Sequence, residues 1–260
     1  MRAPRRPPCR PCRATSASWC TTSLPTAATP RSRSARAQTG TRSCAAADLH
    51  DVENHLEAEP DAAVAVFGDR IDLARRFTAA LAEHGEQRGL IGPLEVPRLW
   101  SRHILNSAVA APFFSGRVAD VGSGAGLPGI VLAIARPDVE FTLIEPMERR
   151  TVWLTEQVGA LGLENVTVER LRAEEWAKGR VFDVVTARAV SALRTLIPWT
   201  APLARVGGRL AYLKGANVAA EVDAAEKQIR RFGVTDVEIH IVGEGIVEEP
   251  TRVLTATVSR

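Results

Sequence analysis

Cysteine is missing from most of this chain. Its four cysteines, Cys9, Cys12, Cys20 and Cys44, all fall within residues 1–47, and residues 48–260 have none. The body therefore offers neither a disulfide framework nor a thiol nucleophile. Cys9-x-x-Cys12 has a metal-like spacing, but no histidine precedes His50 and the other spacings fit no common site, so no metal is expected. Acidic residues are missing in turn from residues 1–47, which hold nine Arg and no Asp or Glu. The whole chain is +3, so residues 48–260 carry −6. A net-negative body argues against sequence-blind nucleic-acid binding, which rests on neutralising phosphates. No apolar run reaches the ~18 residues of a spanning helix. Met1 to Arg13 is basic without the apolar segment of a signal peptide. A soluble cytoplasmic protein, without membrane contact and monomeric, is the expectation. No internal repeat is visible.

What is present is organised around Val118 to Gly129. Val118–Val121 reads as a buried strand, and Gly122, Gly124, Gly126 and Gly129 follow it. Ile130–Ala135 then reads as a helix, with Pro128 where a first turn tolerates proline. Strand, glycine turn and helix form a unit that cradles a nucleotide, because glycine lets backbone approach a ligand that side chains would block. A second apolar strand ends in Glu145, 21 residues after Gly124, where a ribose-binding acid stands in such units. Gly124, Gly126 and Gly129 also satisfy the dinucleotide pattern, so an NAD(P)-dependent oxidoreductase is the alternative. Asp120 separates the two. A pyrophosphate repels a carboxylate at this strand end, whereas a ligand with a sulfonium and an amino group, S-adenosylmethionine, welcomes it.

Residues 1–47 are rich in Arg, Pro, Ser, Thr and Ala and lack apolar periodicity. Such a low-complexity basic tail cannot offset its ordering entropy by burial. Three readings stay open: a disordered tail, a basic arm that grips RNA, and a start codon placed too far upstream. Residues 48–260 form the expected domain, with a helical cap over 48–116 and a core over 117–260. In the cap, Glu59-Pro60-Asp61 opens a helix over Ala62–Phe67. Asp69 caps a second through Ile71, Leu73, Ala74, Phe77, Ala80 and Leu81, and Gly85 ends it. Pro97 starts a third, through Trp100, His103 and Leu105.

The core alternates strand and helix. Val139–Glu145 is a strand, and Met147–Leu161 a helix with Val152, Trp153, Leu154 and Val158 inward. Val166–Val168 and Phe182–Thr186 are strands; Leu193–Leu203 is a helix containing Pro198. Gly207-Gly208 turns into a strand over Arg209–Lys214. Val218, Val222, Ala225, Ile229 and Phe232 mark one further helix, and Val237–Val242 with Arg252–Val258 a closing hairpin. This rhythm predicts an α/β fold with a Rossmann-like parallel sheet and helices on both faces. Ligands then sit beyond the carboxyl ends of the strands. Gly122–Gly126, Glu145, Ala173-Glu174, Arg188 and Lys214 all fall there. Glu145 suits ribose hydroxyls, and Glu174 or its backbone an adenine edge. Each acid alone reads as a solvated carboxylate; their coincidence at one edge points to a site. Spacing alone makes His103 a half-buried helix histidine.

The segments Gly89-Leu-Ile-Gly-Pro, Leu99-Trp-Ser-Arg-His-Ile-Leu-Asn-Ser107, Asp120-Val-Gly-Ser-Gly-Ala-Gly-Leu-Pro-Gly129, Thr186-Ala-Arg-Ala189 and Leu213-Lys-Gly215 resemble the RsmG (GidB) family of ribosomal RNA methyltransferases. The likeness spans about residues 55 to 258; Asn106 departs from the Asp of many relatives, and nothing in the family core matches residues 1–47. It implies a class I methyltransferase fold and methyl transfer from S-adenosylmethionine to N7 of one guanine in 16S ribosomal RNA, as RNA or small ribosomal subunit. It further implies that Gly122, Leu127, Ala173, Glu174 and Arg188 contact the cofactor and Glu145 its ribose, in the turn carrying Gly124 and Gly126. Arg102, His103, Arg149, Arg150 and Lys214 match basic positions facing the RNA. Guanine N7 carries no proton, so catalysis by positioning is expected, without a general base, with Arg188 and His103 as positioning candidates.

Overall fold

The structure, a computed structural model, describes residues 55–260; the expectations for residues 1–47, and for the cap up to residue 54, lie outside the described residues. The first two helices take the expected segments. α1 spans Ala62–Phe67 and α2 Ile71–His84, where Ala74, Phe77 and Leu81 recur on one face and are buried. Asp69 does not cap α2. It lies in the 3-10 turn Gly68–Arg70, which already continues the spiral, so Arg70 precedes the helix without a side-chain cap. The third helix is not a regular α-helix either. Pro97 lies in a 3-10 turn, Val96–Arg98; Trp100–Leu105 is π-helical and runs into α3, Asn106–Ala108.

Strand and helix then alternate as expected. β1 (Arg117–Val121) leads through the glycine turn into α4 (Gly129–Ala135), and β2 (Glu140–Ile144) into α5 (Glu148–Leu161). β3 (Val166–Glu169) is followed by a 3-10 turn, and β4 (Phe182–Arg188) by α6 (Leu193–Thr200), which keeps Pro198 inside it. β5 (Ala204–Lys214), α7 (Val218–Ala224), α8 (Glu226–Arg231), β6 (Val234–Val242) and β7 (Thr251–Val258) complete the chain. Three details differ from the sequence reading. Gly207-Gly208 lies inside β5, where a register shift against Phe182 and Val184 absorbs it, rather than in a turn before the strand. The single helix expected over residues 218–232 is two, interrupted at Ala225, whose φ of −99° and ψ of 1° leave the α-helical spiral. Val152 is 48% exposed, because the helical phase that buries Trp153 and Leu154 turns it outward.

One seven-stranded sheet results, in the order β3-β2-β1-β4-β5-β7-β6. β1 to β5 are parallel, and β7 runs antiparallel between β5 and β6, so the sheet is mixed. Its two faces bury separate cores, because alternate residues of a strand point to opposite sides. Val118 and Leu143 meet Phe77, Leu81, Ile104 and Ile130 on the face covered by α1–α5. Ala119, Val121, Ile144 and Tyr212 meet Leu193 and Ile197 on the face covered by α6–α8. This is a Rossmann-like α/β architecture with helices on both faces. In it the first helices form part of one covering layer with α4 and α5. Parallel β1–β5 bring Gly122, Glu145, Ala173, Glu174, Arg188 and Lys214 to one carboxyl edge, and the β6–β7 loop returns to the same edge.

Gly129 sets how closely α4 approaches β1 and β2. A Cβ there would overlap Leu143 Cδ2 and Asp120 Oδ2. Gly129→Ala is therefore expected to destabilise the fold by about 1–3 kcal/mol through overpacking, read as a lowered thermal midpoint. An unchanged midpoint would show that the contact relaxes freely.

Candidate active site

One glycine turn and two acids define the inner part of the site. Gly122 has φ 71° and Gly126 φ 94°, conformations that favour glycine. A Cβ on Gly122 would also lie 2.7 Å from Val190 Cγ2. The indole of buried Trp153 donates to Ala125 O at 3.0 Å and fixes the turn from α5. Glu145, 2% exposed, accepts from Gly124 N–H and Met147 N–H, each at 3.0 Å, with Arg150 Nη1 at 3.8 Å. Asp120 is wholly buried at the base of the turn, where Oδ2 accepts from Gly129 N–H at 3.1 Å. Its Oδ1 has no hydrogen-bond partner, and neither does the buried Nε of Arg150.

A cavity of about 280 Å³ opens beside this turn. Gly122, Glu145, Ala173 and Glu174 line it, as expected of cofactor residues, and so does Arg150, expected on the RNA side. Gly124, Gly126 and Leu127 shape the turn but are absent from that lining. Trp199 from α6, Pro146 and Met147 also line it and escaped the sequence reading; only their positions near α6 and β2 could have marked them.

Arg188, at the end of β4, turns away from this cavity. Its guanidinium donates to Ser107 Oγ at 2.8 Å, to Arg102 O at 2.9 Å and to His103 O at 3.3 Å. The carbonyls belong to the π-helical turn, and a cation filling them accounts for the widened spiral. Burial, with Arg102 adding repulsion, pulls the Arg188 guanidinium down to about 10. It also lies 3.1 Å from His103 Nδ1. A guanidinium can only donate, so Nδ1 accepts and Nε2 carries the proton, which it gives to Glu95 Oε2 at 2.5 Å. Burial, then Arg188, lowers the His103 pKa, and Glu95 opposes them. Both ring nitrogens are thus engaged.

A larger groove of about 990 Å³ adjoins the first cavity. Arg102, Arg188, Lys214 and Arg252 line it together with Glu221, Glu244, Glu248 and Glu249. Arg102 is 44% exposed and lies 3.3 Å from Glu95 Oε2. Arg149 is exposed at the start of α5, away from the residues lining the groove. Lys214 is drawn inward to Glu221 at 2.7 Å. Ala189 and Val190 line both cavity and groove and form their common wall. Among the described residues no group of side chains could hold a metal ion, and no helix is long and apolar enough to cross a membrane.

Residues 70–250 match the family GidB, described as rRNA small subunit methyltransferase G. The chain is similar to ribosomal RNA small subunit methyltransferase G of Leifsonia xyli, with 61% identity over 78% of this chain and 98% of that protein. Its counterpart in Clavibacter michiganensis is 58% identical over 78% of this chain and 97% of its own length. Among solved structures, the apo S-adenosylmethionine-dependent methyltransferase SibL is similar over 75% of this chain and 70% of its own, with TM-score 0.51 and 18% identity. At that identity the likeness shows the fold alone.

Burial pushes the Asp120 carboxyl up from 3.8 to about 7, with Ser123 and then the Gly129 N–H opposing. Between about 4 and about 7 the folded chain keeps a proton there that the unfolded chain has released. This group's contribution to stability therefore falls as pH rises through that window and stays lost above it. Asp120→Asn removes the titration. Urea unfolding at a series of pH values should show the variant gaining on wild type across the window. A constant difference would contradict an ionisable carboxyl buried there.

Proposed function

The chain belongs to the rRNA small subunit methyltransferase G family, and from that premise we propose that it transfers a methyl group from S-adenosylmethionine to N7 of a guanine in 16S ribosomal RNA of the small subunit. The observation that carries this reading is the wall Ala189–Val190, shared by an acid-lined cavity and a larger groove at one sheet edge. The residues fit the cofactor. Asp120 Oδ1, buried and without a partner, favours a ligand cation and disfavours the pyrophosphate of a dinucleotide. Glu145 takes the ribose, Gly122 admits the ligand past the turn built on Gly124, Gly126 and Leu127, and Ala173 and Glu174 face the adenine.

When bound, S-adenosylmethionine supplies a methyl group on a positively charged sulfur, which an in-ring lone pair without a proton can take directly. What the chain must supply is then alignment, not deprotonation. His103 is built for alignment. With Nδ1 facing Arg188 and Nε2–H given to Glu95, it orients Arg188 and has no free lone pair for a substrate proton. Arg188 in turn orders the groove wall without reaching into the smaller cavity. Arg102 and Arg149, both exposed, hold RNA phosphates. The present partners of Arg150 and Lys214 point to other work.

Calorimetry should show S-adenosylmethionine and S-adenosylhomocysteine binding, with Glu145→Ala weakening both by about 1–3 kcal/mol as hydrogen bonds to a charged acceptor are lost. Binding of NAD at comparable affinity, with neither of these ligands held, would contradict the proposal.

A further inference from the structure

Lys214 belongs by position with the cations expected to meet RNA, yet its ammonium is used inside the protein. Its side chain is 9% exposed, with Nζ 2.7 Å from Glu221 Oε2 on α7. It also donates to Ser191 O at 2.9 Å. The same Glu221 oxygen accepts from Leu193 N–H, the first residue of α6, at 3.0 Å. One ion pair thus joins the end of β5, α7, the start of α6 and residue 191.

Residues 188–191 are therefore tethered at both ends, Arg188 by the π-helical turn and Ser191 by Lys214. Between the tethers stand Ala189 and Val190. Ala189 has φ 54°, a left-handed conformation that a residue with a Cβ keeps only when its surroundings impose it. Val190 packs so closely on Gly122 that a Cβ there would lie 2.7 Å from its Cγ2. Drawing Lys214 out to a phosphate would leave Glu221 without its cation and Ser191 O without its donor, and would release the wall.

We propose that Lys214 and Glu221 form a latch that holds the Ala189–Val190 wall between cofactor and target base, making Lys214 a positioning residue for methyl transfer rather than a phosphate contact. This rests on the proposed function. Small displacements of aligned groups slow chemistry steeply, on the order of 100-fold for about 1 Å. Loss of the latch therefore acts on the chemical step and leaves RNA affinity alone.

The test uses the full chain with Lys214→Met, Glu221→Gln and the double variant. Two quantities are measured: single-turnover methylation at saturating S-adenosylmethionine and 16S RNA, and RNA affinity over a series of salt concentrations. Each single variant should slow the methylation step by roughly 10-fold or more, the double no further than either. RNA affinity and its salt slope should match wild type. A phosphate-binding lysine gives the opposite pattern. Lys214→Met would then weaken RNA binding and reduce the slope by about one, and Glu221→Gln, by freeing the lysine, would tighten it. That pattern, or unchanged methylation rates in both single variants, overturns the latch. If Lys214→Met does not fold, Glu221→Gln still decides by the sign of its effect on RNA affinity. A wild-type chain that transfers no methyl would count against the proposed activity, while the salt slopes would still decide the role of Lys214.

Discussion

The buried guanidinium of Arg188 is the contact on which the site's geometry depends. It sits at the carboxyl end of β4 and satisfies carbonyls of a turn that lies 85 and 86 residues earlier in the chain. A cation taken out of water persists only when its donors are matched, and here Arg102 O, His103 O, Ser107 Oγ and His103 Nδ1 match them. The consequences run both ways. The preceding helix widens into a π-turn around the guanidinium, and residues 189–191 leave the strand in a fixed direction, where they become the wall between cavity and groove.

The parts of the fold set by local rules were legible in the sequence. Val118–Val121, Gly122–Gly129 and Glu145 report strand, turn and strand end through residue type alone, and the alternation of apolar runs with helical spacing dictated helices on both faces. The parts set by distant partners were not. Nothing in Trp100–Leu105 announces a π-helix, because its cause is a side chain of β4. Gly207-Gly208 reads as a turn until the register opposite Phe182 and Val184 is known. Arg150 and Lys214 look like surface cations until Glu145 and Glu221 are seen beside them. Residue type places a charge on an element; its partner across the fold decides whether it faces solvent.

The same partnership shapes the proposed chemistry. A histidine at the mouth of a site invites assignment as a base, yet His103 has one nitrogen facing a guanidinium and the other giving its proton to Glu95. An enzyme acting on a guanine nitrogen that bears no proton loses nothing by this, since binding and orientation carry the rate. The acids of the β6–β7 loop, Glu244, Glu248 and Glu249, also face the groove and suit a product base that gains positive charge.

The most direct test of catalysis by positioning is the pH profile of single-turnover methyl transfer to 16S RNA at saturating S-adenosylmethionine. It is taken from about pH 6 to about pH 9, with the methylated base identified by mass spectrometry. Catalysis by positioning predicts methyl on guanine N7 and a rate without a rising limb near neutrality. Methyl on N1 or an exocyclic nitrogen, or a steep rise with pH that disappears in His103→Ala, would contradict it.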